Sequence, residues 1–247
     1  MTHAILFIFF FVSVIISFVT NSVLSDLLQQ KEDNKLFYSQ QVAKELTYWY
    51  KNNAFQIDNN PGIINPQFNL DYNGRILSSK RINCRNGVYG HIFVIAIPTI
   101  EGIQTTMNPD TGEIIPGKYD IIKTVNGCKI QKELFDSSVK KTQMIAIWLE
   151  NYFKSRASSD TYGNRNYFAS NLCGASGDIP CVTNSSAKIL KNYIGGNDID
   201  FTTAYGTDII FDNSSPNVRL TTTPYTSRVG FITPWGDEKW IVATGHL

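Results

Sequence analysis

The chain opens MTHAILFIFFFVSVIISFVTNSVL, with no acid, lysine or arginine before Asp26. An apolar run of about 20 residues, rising 1.5 Å per residue, crosses the roughly 30 Å hydrocarbon core of a bilayer. Ser13, Ser17 and Thr20 fit such a run, because their hydroxyls can bond back to carbonyls of the preceding turn. After Asp26 the pattern becomes amphipathic. Leu36, Ala43, Leu46, Tyr50 and Ala54 fall on one helical face, and Lys31, Glu32, Lys35, Gln40, Lys44 and Glu45 are available for the other. The first proline is Pro61 and the first glycine Gly62, so neither main helix breaker interrupts the segment. The pattern predicts one helix from residue 1 to about 55, on the order of 80 Å long. Residues 1–25 form its apolar half, presenting Ile5, Phe7, Phe10, Val14, Ile16 and Phe18, and residues 26–56 its amphipathic half.

From residue 57 to 247 the pattern changes to that of an α+β head. Gln56 to Asn73 is a polar connection bearing Pro, Gly and Asn. Strands are predicted at Arg75–Cys84, at the β-branched and aromatic run Val88–Pro98, at Thr99–Met107 as its partner, and at Tyr119–Val125. NPDTGEIIPG between them is turn chemistry. A second helix is predicted over Gln131 to about Arg156, with Leu134, Ile145, Leu149, Tyr152 and Phe153 as an apolar stripe that Ile147 and Trp148 widen. Ala157–Ser186 reads as loop, and Ala187–Tyr193 as one or two helical turns stopped by Gly195-Gly196. Strands return at Thr207–Phe211, Val218–Thr222, Arg228–Thr233 and Lys239–Ala243. No internal repeat is present. The fold class is therefore α+β: a long N-terminal helix heading an antiparallel-sheet domain with a second helix.

Charge excludes one class of partner. Lys plus Arg number 22 against 21 Asp plus Glu, with no basic block, which argues against nucleic acid. The four cysteines, Cys84, Cys128, Cys173 and Cys181, contain no C-x-x-C, and the three histidines are scattered, so no metal site is predicted. An even count beside an apolar helix suggests disulfides in an oxidising compartment. Cys173 and Cys181 bracket a short Gly- and Pro-bearing loop able to close on itself, which would leave Cys84 with Cys128. Four cysteines allow three connectivities, and buried free thiols remain a further reading.

Catalytic patterns are absent: no G-x-S-x-G, H-E-x-x-H, phosphate loop or dinucleotide fingerprint occurs. His91 falls within a predicted strand and reads as a satisfied structural histidine. No cofactor is implied, and the chain is not expected to be an enzyme. Asp198, Asp200, Asp208 and Asp212 could offer oxygens to calcium, although turn carboxylates are the plainer reading. Asn184-Ser185-Ser186 and Asn213-Ser214-Ser215 match the glycosylation sequon. Tyr205, Trp235 and Trp240 form a C-terminal aromatic group, suited to closing a small core or to binding.

The layout resembles the type IV pilin and type II secretion pseudopilin superfamily. The resemblance rests on the half-apolar helix, the α+β head and the run Ala204-Tyr205-Gly206-Thr207-Asp208-Ile209-Ile210-Phe211, which is similar to a segment beginning the C-terminal sheet of pseudopilins. It implies a structural subunit that joins other pilin-like subunits through its N-terminal helix and sits in the bacterial inner membrane before assembly. Its head would lie in the periplasm, or outside the cell within a surface filament. Two departures narrow this. No short basic leader ending in Gly precedes Met1, which fits a processed chain. The fifth residue, usually Glu in the family, is Ile5. A buried terminal amine without its counter-charge is costly, so the resemblance implies a minor subunit, acting in assembly or at a filament tip by protein–protein contact, with adhesion as a further role. The competing readings are a single-span periplasmic enzyme or ligand-binding protein, and a secreted protein losing its first 25 residues. Val23-Leu24-Ser25 suits a signal peptidase loosely, but the basic n-region is missing.

Overall fold

The computed structural model describes residues 2–100, 102–161, 165–175 and 177–246, with side chains from Val12 onward. Along the chain, α1 (Thr2–Asn59) is followed by β1 (Arg75–Ser78), β2 (Ile82–Asn83), β3 (Tyr89–Gly90) and β4 (Ile92–Pro98). Next come β5 (Thr106–Met107), β6 (Ile114–Ile115), β7 (Asp120–Asn126) and α2 (Gly127–Ser159). The C-terminal part adds β8 (Ser185–Ser186), α3 (Lys191–Ile194), β9 (Ile210–Asp212), β10 (Tyr225–Ile232) and β11 (Glu238–Gly245). The class is α+β, as the sequence pattern implies. The chain groups into two compact units, one of Met1–Tyr48, Asn65–Ser79 and Ile92–Val125, the other of Trp49–Ile64, Lys80–His91 and Asn126–Leu247.

The single helix α1 runs to Asn59, four residues beyond the predicted end. It stops where Pro61 would remove a backbone donor and restrict the residue before it. Asn60 Oδ1 accepts the Gly62 N–H at 2.8 Å and turns the chain away. The covered stripe differs from the predicted one. Lys35, Ser39, Val42, Leu46, Tyr50, Ala54, Ile57 and Asp58 are buried, whereas Leu36 is exposed and Ala43 only half-buried. The stripe is thus rotated by one residue at its start. Lys35 can be buried there because its Nζ donates to Pro98 O at 2.7 Å and Thr99 O at 3.3 Å.

In the first unit β4 lies between β1 and β7. Phe93 to Ile97 have no exposure at all, so both faces of this strand are covered, which explains its unbroken apolar sequence. The predicted partner strand Thr99–Met107 does not form. The chain leaves the sheet after Pro98, Thr99 N and Oγ1 both donate to Tyr119 O, and only Thr106–Met107 pairs, with Ile114–Ile115 across the Asn108–Gly112 turn. Arg75–Cys84 is likewise not one strand. It breaks at Ser79 to Arg81 and yields β1, paired with β4, and β2, paired with β3.

In the second unit α2 starts at Asn126, whose Oδ1 accepts the Lys129 N–H at 3.1 Å. Its buried face carries Leu134, Ile145, Leu149 and Phe153; Ile147, expected on that face, is exposed. Of these, Ile145, Leu149 and Phe153 pack with Phe168, Phe201, Phe211, Tyr225, Val229 and Ala243 in one core beside the sheet ordered β11-β10-β9-β8. The Phe153 ring is the hub, 4.8 Å from Phe168, 5.2 Å from Tyr167 and 5.9 Å from Tyr225 between centroids. The predicted strand Val218–Thr222 is absent. Its first two donors are used locally, Val218 N by Ser215 O and Arg219 N by Thr226 Oγ1, rather than in a ladder. Gly195, at φ 74°, ends α3 as expected.

Candidate assembly surface and buried polar cluster

From residue 12 onward the apolar half of α1 is bare. All residues from 12 to 34 are exposed, including Val14, Ile16 and Phe18; the side chains of Ile5, Phe7 and Phe10 lie outside the described residues. Thr20 Oγ1 donates back to Ile16 O, so the hydroxyl leaves no polar group seeking water. The helix is long and apolar enough to cross a membrane, a property shared by membrane anchors and signal sequences. The apolar exposure does not end with the charges that begin at Asp26. Phe37 and Tyr48 are 70% and 71% exposed. Eleven residues are about three helical turns, so these two rings share one face of α1.

Both disulfides follow the pairing that the Cys173–Cys181 loop suggested. Cys84 bonds Cys128 and Cys173 bonds Cys181, with Cα separations of 5.4 and 5.5 Å and no free cysteine. They lie in the second unit, where Cys84 belongs to the hairpin turn between β2 and β3 and Cys128 to the first turn of α2.

The C-terminal aromatics have separate environments. Tyr205 stands edge-on to Phe55 at 6.3 Å and donates to Gln131 O at 3.4 Å, and burial pushes its hydroxyl pKa up. Trp235 stacks with Phe135 at 6.3 Å and lies 5.6 Å from Tyr89. Trp240 instead covers Gly230, its cross-strand partner, where any Cβ would lie 2.6 Å from the indole ring. Its outer face takes the Arg228 guanidinium at 4.1 Å, and that guanidinium is held by Nε and Nη2 bonds of 3.0 and 2.7 Å to buried Asp212. Packing therefore accounts for all three aromatics.

Sequence reasoning missed a buried polar cluster in the second unit. The Tyr50 hydroxyl and Gln131 Nε2 both donate to Asp58 Oδ2, while His91 Nε2 lies 3.4 Å from Asp58 Oδ1 and 3.2 Å from Asn60 O. Arg81 Nη1 donates to the Asp58 carbonyl at 2.7 Å. Burial raises Asp58 to about 6, against the lowering effect of Tyr50, His91, Gln131 and Arg81, and burial with the Asp58 charge raises Tyr50 well above the ordinary phenol. Gly127 belongs to the same knot, since a Cβ there would lie 2.2 Å from His91 O and 2.7 Å from the Tyr50 hydroxyl. His91, expected inside a strand, sits in the break between β3 and β4. With side chains fully buried, Asp58 and His91 are out of reach of a solute and act as a fastening.

The four aspartates considered for calcium are otherwise engaged. Asp198 pairs with Lys191 and Asp208 with Lys188, each at 2.6 Å; Asp200 accepts the Asn197 N–H at 2.8 Å; Asp212 holds Arg228. No group of three or more His, Cys, Asp or Glu suited to a metal occurs among the described residues. Of the two sequons, Asn213 is fully buried with its amide donated to Phe168 O and Pro180 O, so it is closed to glycosylation. A cleft of about 610 Å³ beside the end of α2 is lined by Glu150, Asn151, Lys154, Ser158, Thr244 and His246, and Glu150 accepts the Thr244 N–H there at 3.0 Å. Among known proteins, no family model, curated protein or solved structure matches this chain.

Proposed function

We propose that this chain is a minor pilin-like subunit, a non-enzymatic structural protein that acts in the assembly or at the tip of a type IV pilus-like filament. Before assembly its apolar half-helix lies in the bacterial inner membrane with the head on the periplasmic side, and afterwards it packs among the helices of neighbouring subunits. The observation that carries this reading is the persistence of exposed apolar rings along α1, from Phe18 through Phe37 to Tyr48. A simple tether needs its bare apolar surface only within the hydrocarbon, whereas a helix that joins others can use such surface beyond it. Leaving lipid for like helices preserves apolar burial, so packing rather than water exclusion selects the partner.

Replacement of Ile16 by Asp tests the proposal, because a carboxylate in that environment costs about 2.5–3.5 kcal/mol. The variant should be missing from sheared filaments while its disulfide-bonded head remains folded in the membrane fraction. Normal incorporation would overturn the reading, as would a native N-terminus at Asp26, which N-terminal sequencing detects.

A further inference from the structure

The four-stranded sheet of the second unit ends on β11, and the register fixes which of its backbone groups face outward. Thr233 N donates to Asp237 O at 2.8 Å across the turn between β10 and β11, so the odd-numbered positions of β11 exchange bonds with β10. Thr244 N, at an even position, turns instead to Glu150 Oε1 at 3.0 Å. The N–H and C=O groups of Trp240 and Val242 therefore point away from the sheet, and none of the described residues bonds their N–H groups. Edge strands are commonly blunted by shortness, proline or a bulge. β11 pairs without interruption from Glu238 to Gly245 and contains no proline.

A groove follows this edge. α2 runs in the direction of β11, because Phe135 meets Phe231 near the end of β10 and Phe153 meets Tyr225 at its start, and β10 is antiparallel to β11. Glu150 sets the level of the helix at Thr244. There the groove opens into the cleft of about 610 Å³ that Asn151, Lys154 and Ser158 also line. In the other direction Ile147 precedes Asn151 by one turn on the same side of α2, and Val242 precedes Thr244 by two residues on β11. Ile147 is 55% exposed and Val242 54%. Gly245 lies against the Phe153 ring and Ala243 shares its core, so Val242, which alternates with them, points to the opposite face of the sheet. A strand laid along β11 would meet Ile147 with one set of alternate side chains and Val242 with the other. Glu150 spends its oxygen on Thr244, which leaves Lys154, four residues on, as an exposed cation in the cleft wall.

We infer that the outer edge of β11 is a docking site for an extended segment of a partner protein, which adds to the sheet as a further strand, sets adjacent apolar residues against Ile147 and Val242, and brings a carboxylate to Lys154. In strand addition the main-chain bonds supply affinity and the alternate side chains supply specificity. Here Trp240 and Val242 offer the main-chain groups, the two exposed aliphatic side chains select apolar neighbours, and Lys154 selects an acid. Seven residues of helix separate Ile147 from Lys154, about 10 Å, which corresponds to about three strand residues between the apolar pair and the acid. The site belongs wholly to the second unit and does not depend on where α1 is buried.

The experiment pans a phage-displayed library of random decapeptides against the full chain in detergent micelles. Enriched peptides are expected to carry adjacent apolar residues with Asp or Glu about three positions away, and a synthetic copy should slow hydrogen exchange at the Trp240 and Val242 amides. Val242→Pro removes an outward donor without touching a bond to β10, and proline is tolerated at such an edge position. It should weaken the peptide about tenfold, while Val242→Ala, which keeps the donor, weakens it less. Lys154→Glu, a change at an exposed site, should turn the selection from acidic to basic peptides, and this reversal decides the matter even if the proline variant fails to fold. Several results overturn the inference: no enrichment, slowed exchange elsewhere with Trp240 and Val242 still fast, a folded Val242→Pro that binds as well as the parent, or an unchanged preference in Lys154→Glu. A concentration-dependent dimer of the chain that slows the same two amides without peptide assigns the edge to a second copy and overturns it as well.

Discussion

His91 Nε2 lies 3.4 Å from Asp58 Oδ1, and neither side chain has any exposure. Asp58 ends α1 and also takes donors from Tyr50 and from Gln131 of α2, so one carboxylate fastens three segments of the second unit. Removing it strands a buried imidazole, a phenol and an amide. Asp58→Ala is expected to destabilise the chain by about 3–5 kcal/mol, in line with breaking a buried pair from one side. Asp58→Asn, which keeps an acceptor oxygen, should cost less. Urea denaturation followed by tryptophan fluorescence measures both, and equal costs would show that a single retained acceptor oxygen carries none of the fastening.

The same residue sets a pH dependence. Burial raises Asp58 from 3.8 to about 6, so between these values the folded chain holds a proton that the unfolded chain releases. Stability from this group is then fully present below about pH 4 and declines as pH rises through 6, with a total near 3 kcal/mol on the scale of 1.36 kcal/mol per pKa unit. Relative to Asp58→Asn, the wild-type chain should gain stability as pH falls from 7.5 to 4.5. A difference that stays flat across that range would remove Asp58 as its source.

What the sequence discloses depends on how local the determinants are. The length of α1 follows from the absence of Pro and Gly before Pro61 and was legible to within four residues, whereas α2 was legible as a helix but begins at Gly127, four residues before the expected Gln131, because the Asn126 cap went unrecognised. The covered stripe of α1 was misplaced at Leu36 because hydropathy cannot foresee that Lys35 finds two carbonyls. The Asp58 cluster was invisible for a related reason. Asp58 and Gln131 are 73 positions apart, each is unremarkable in its own segment, and only the fold makes them neighbours. The aromatic residues were identified singly, but Tyr205, Trp235 and Trp240 were grouped by sequence proximity, while strand register sends Trp240 over Gly230.

The two disulfides should differ in weight. Cys84–Cys128 spans 44 residues and Cys173–Cys181 only 8. On loop-closure entropy, the first restricts the unfolded chain by about 4 kcal/mol and the second by about 2.5 kcal/mol. The Cys84→Ser/Cys128→Ser variant is therefore expected to lose more stability than Cys173→Ser/Cys181→Ser. Thermal melting of the two double variants compares them directly, and the reverse order would mean that local packing at Cys173 and Cys181 outweighs chain entropy.

Phe37 and Tyr48, about three turns apart on one face of α1, separate the requirements of folding from those of the proposed assembly. Both rings are mostly exposed, so replacing them with Gln, a good helix former, removes little from the isolated chain; each change should alter its stability by no more than about 0.5 kcal/mol. If neighbouring helices cover this face in a filament, each truncation forfeits about 1.5–3 kcal/mol of apolar burial, or roughly tenfold or more in subunit incorporation. The double variant Phe37→Gln/Tyr48→Gln should keep its melting temperature and both disulfides, accumulate in the membrane fraction, and be depleted from sheared filaments. Incorporation at the wild-type level would show that the exposed face of the amphipathic half makes no subunit contact, leaving only the segment before Asp26 to join the filament.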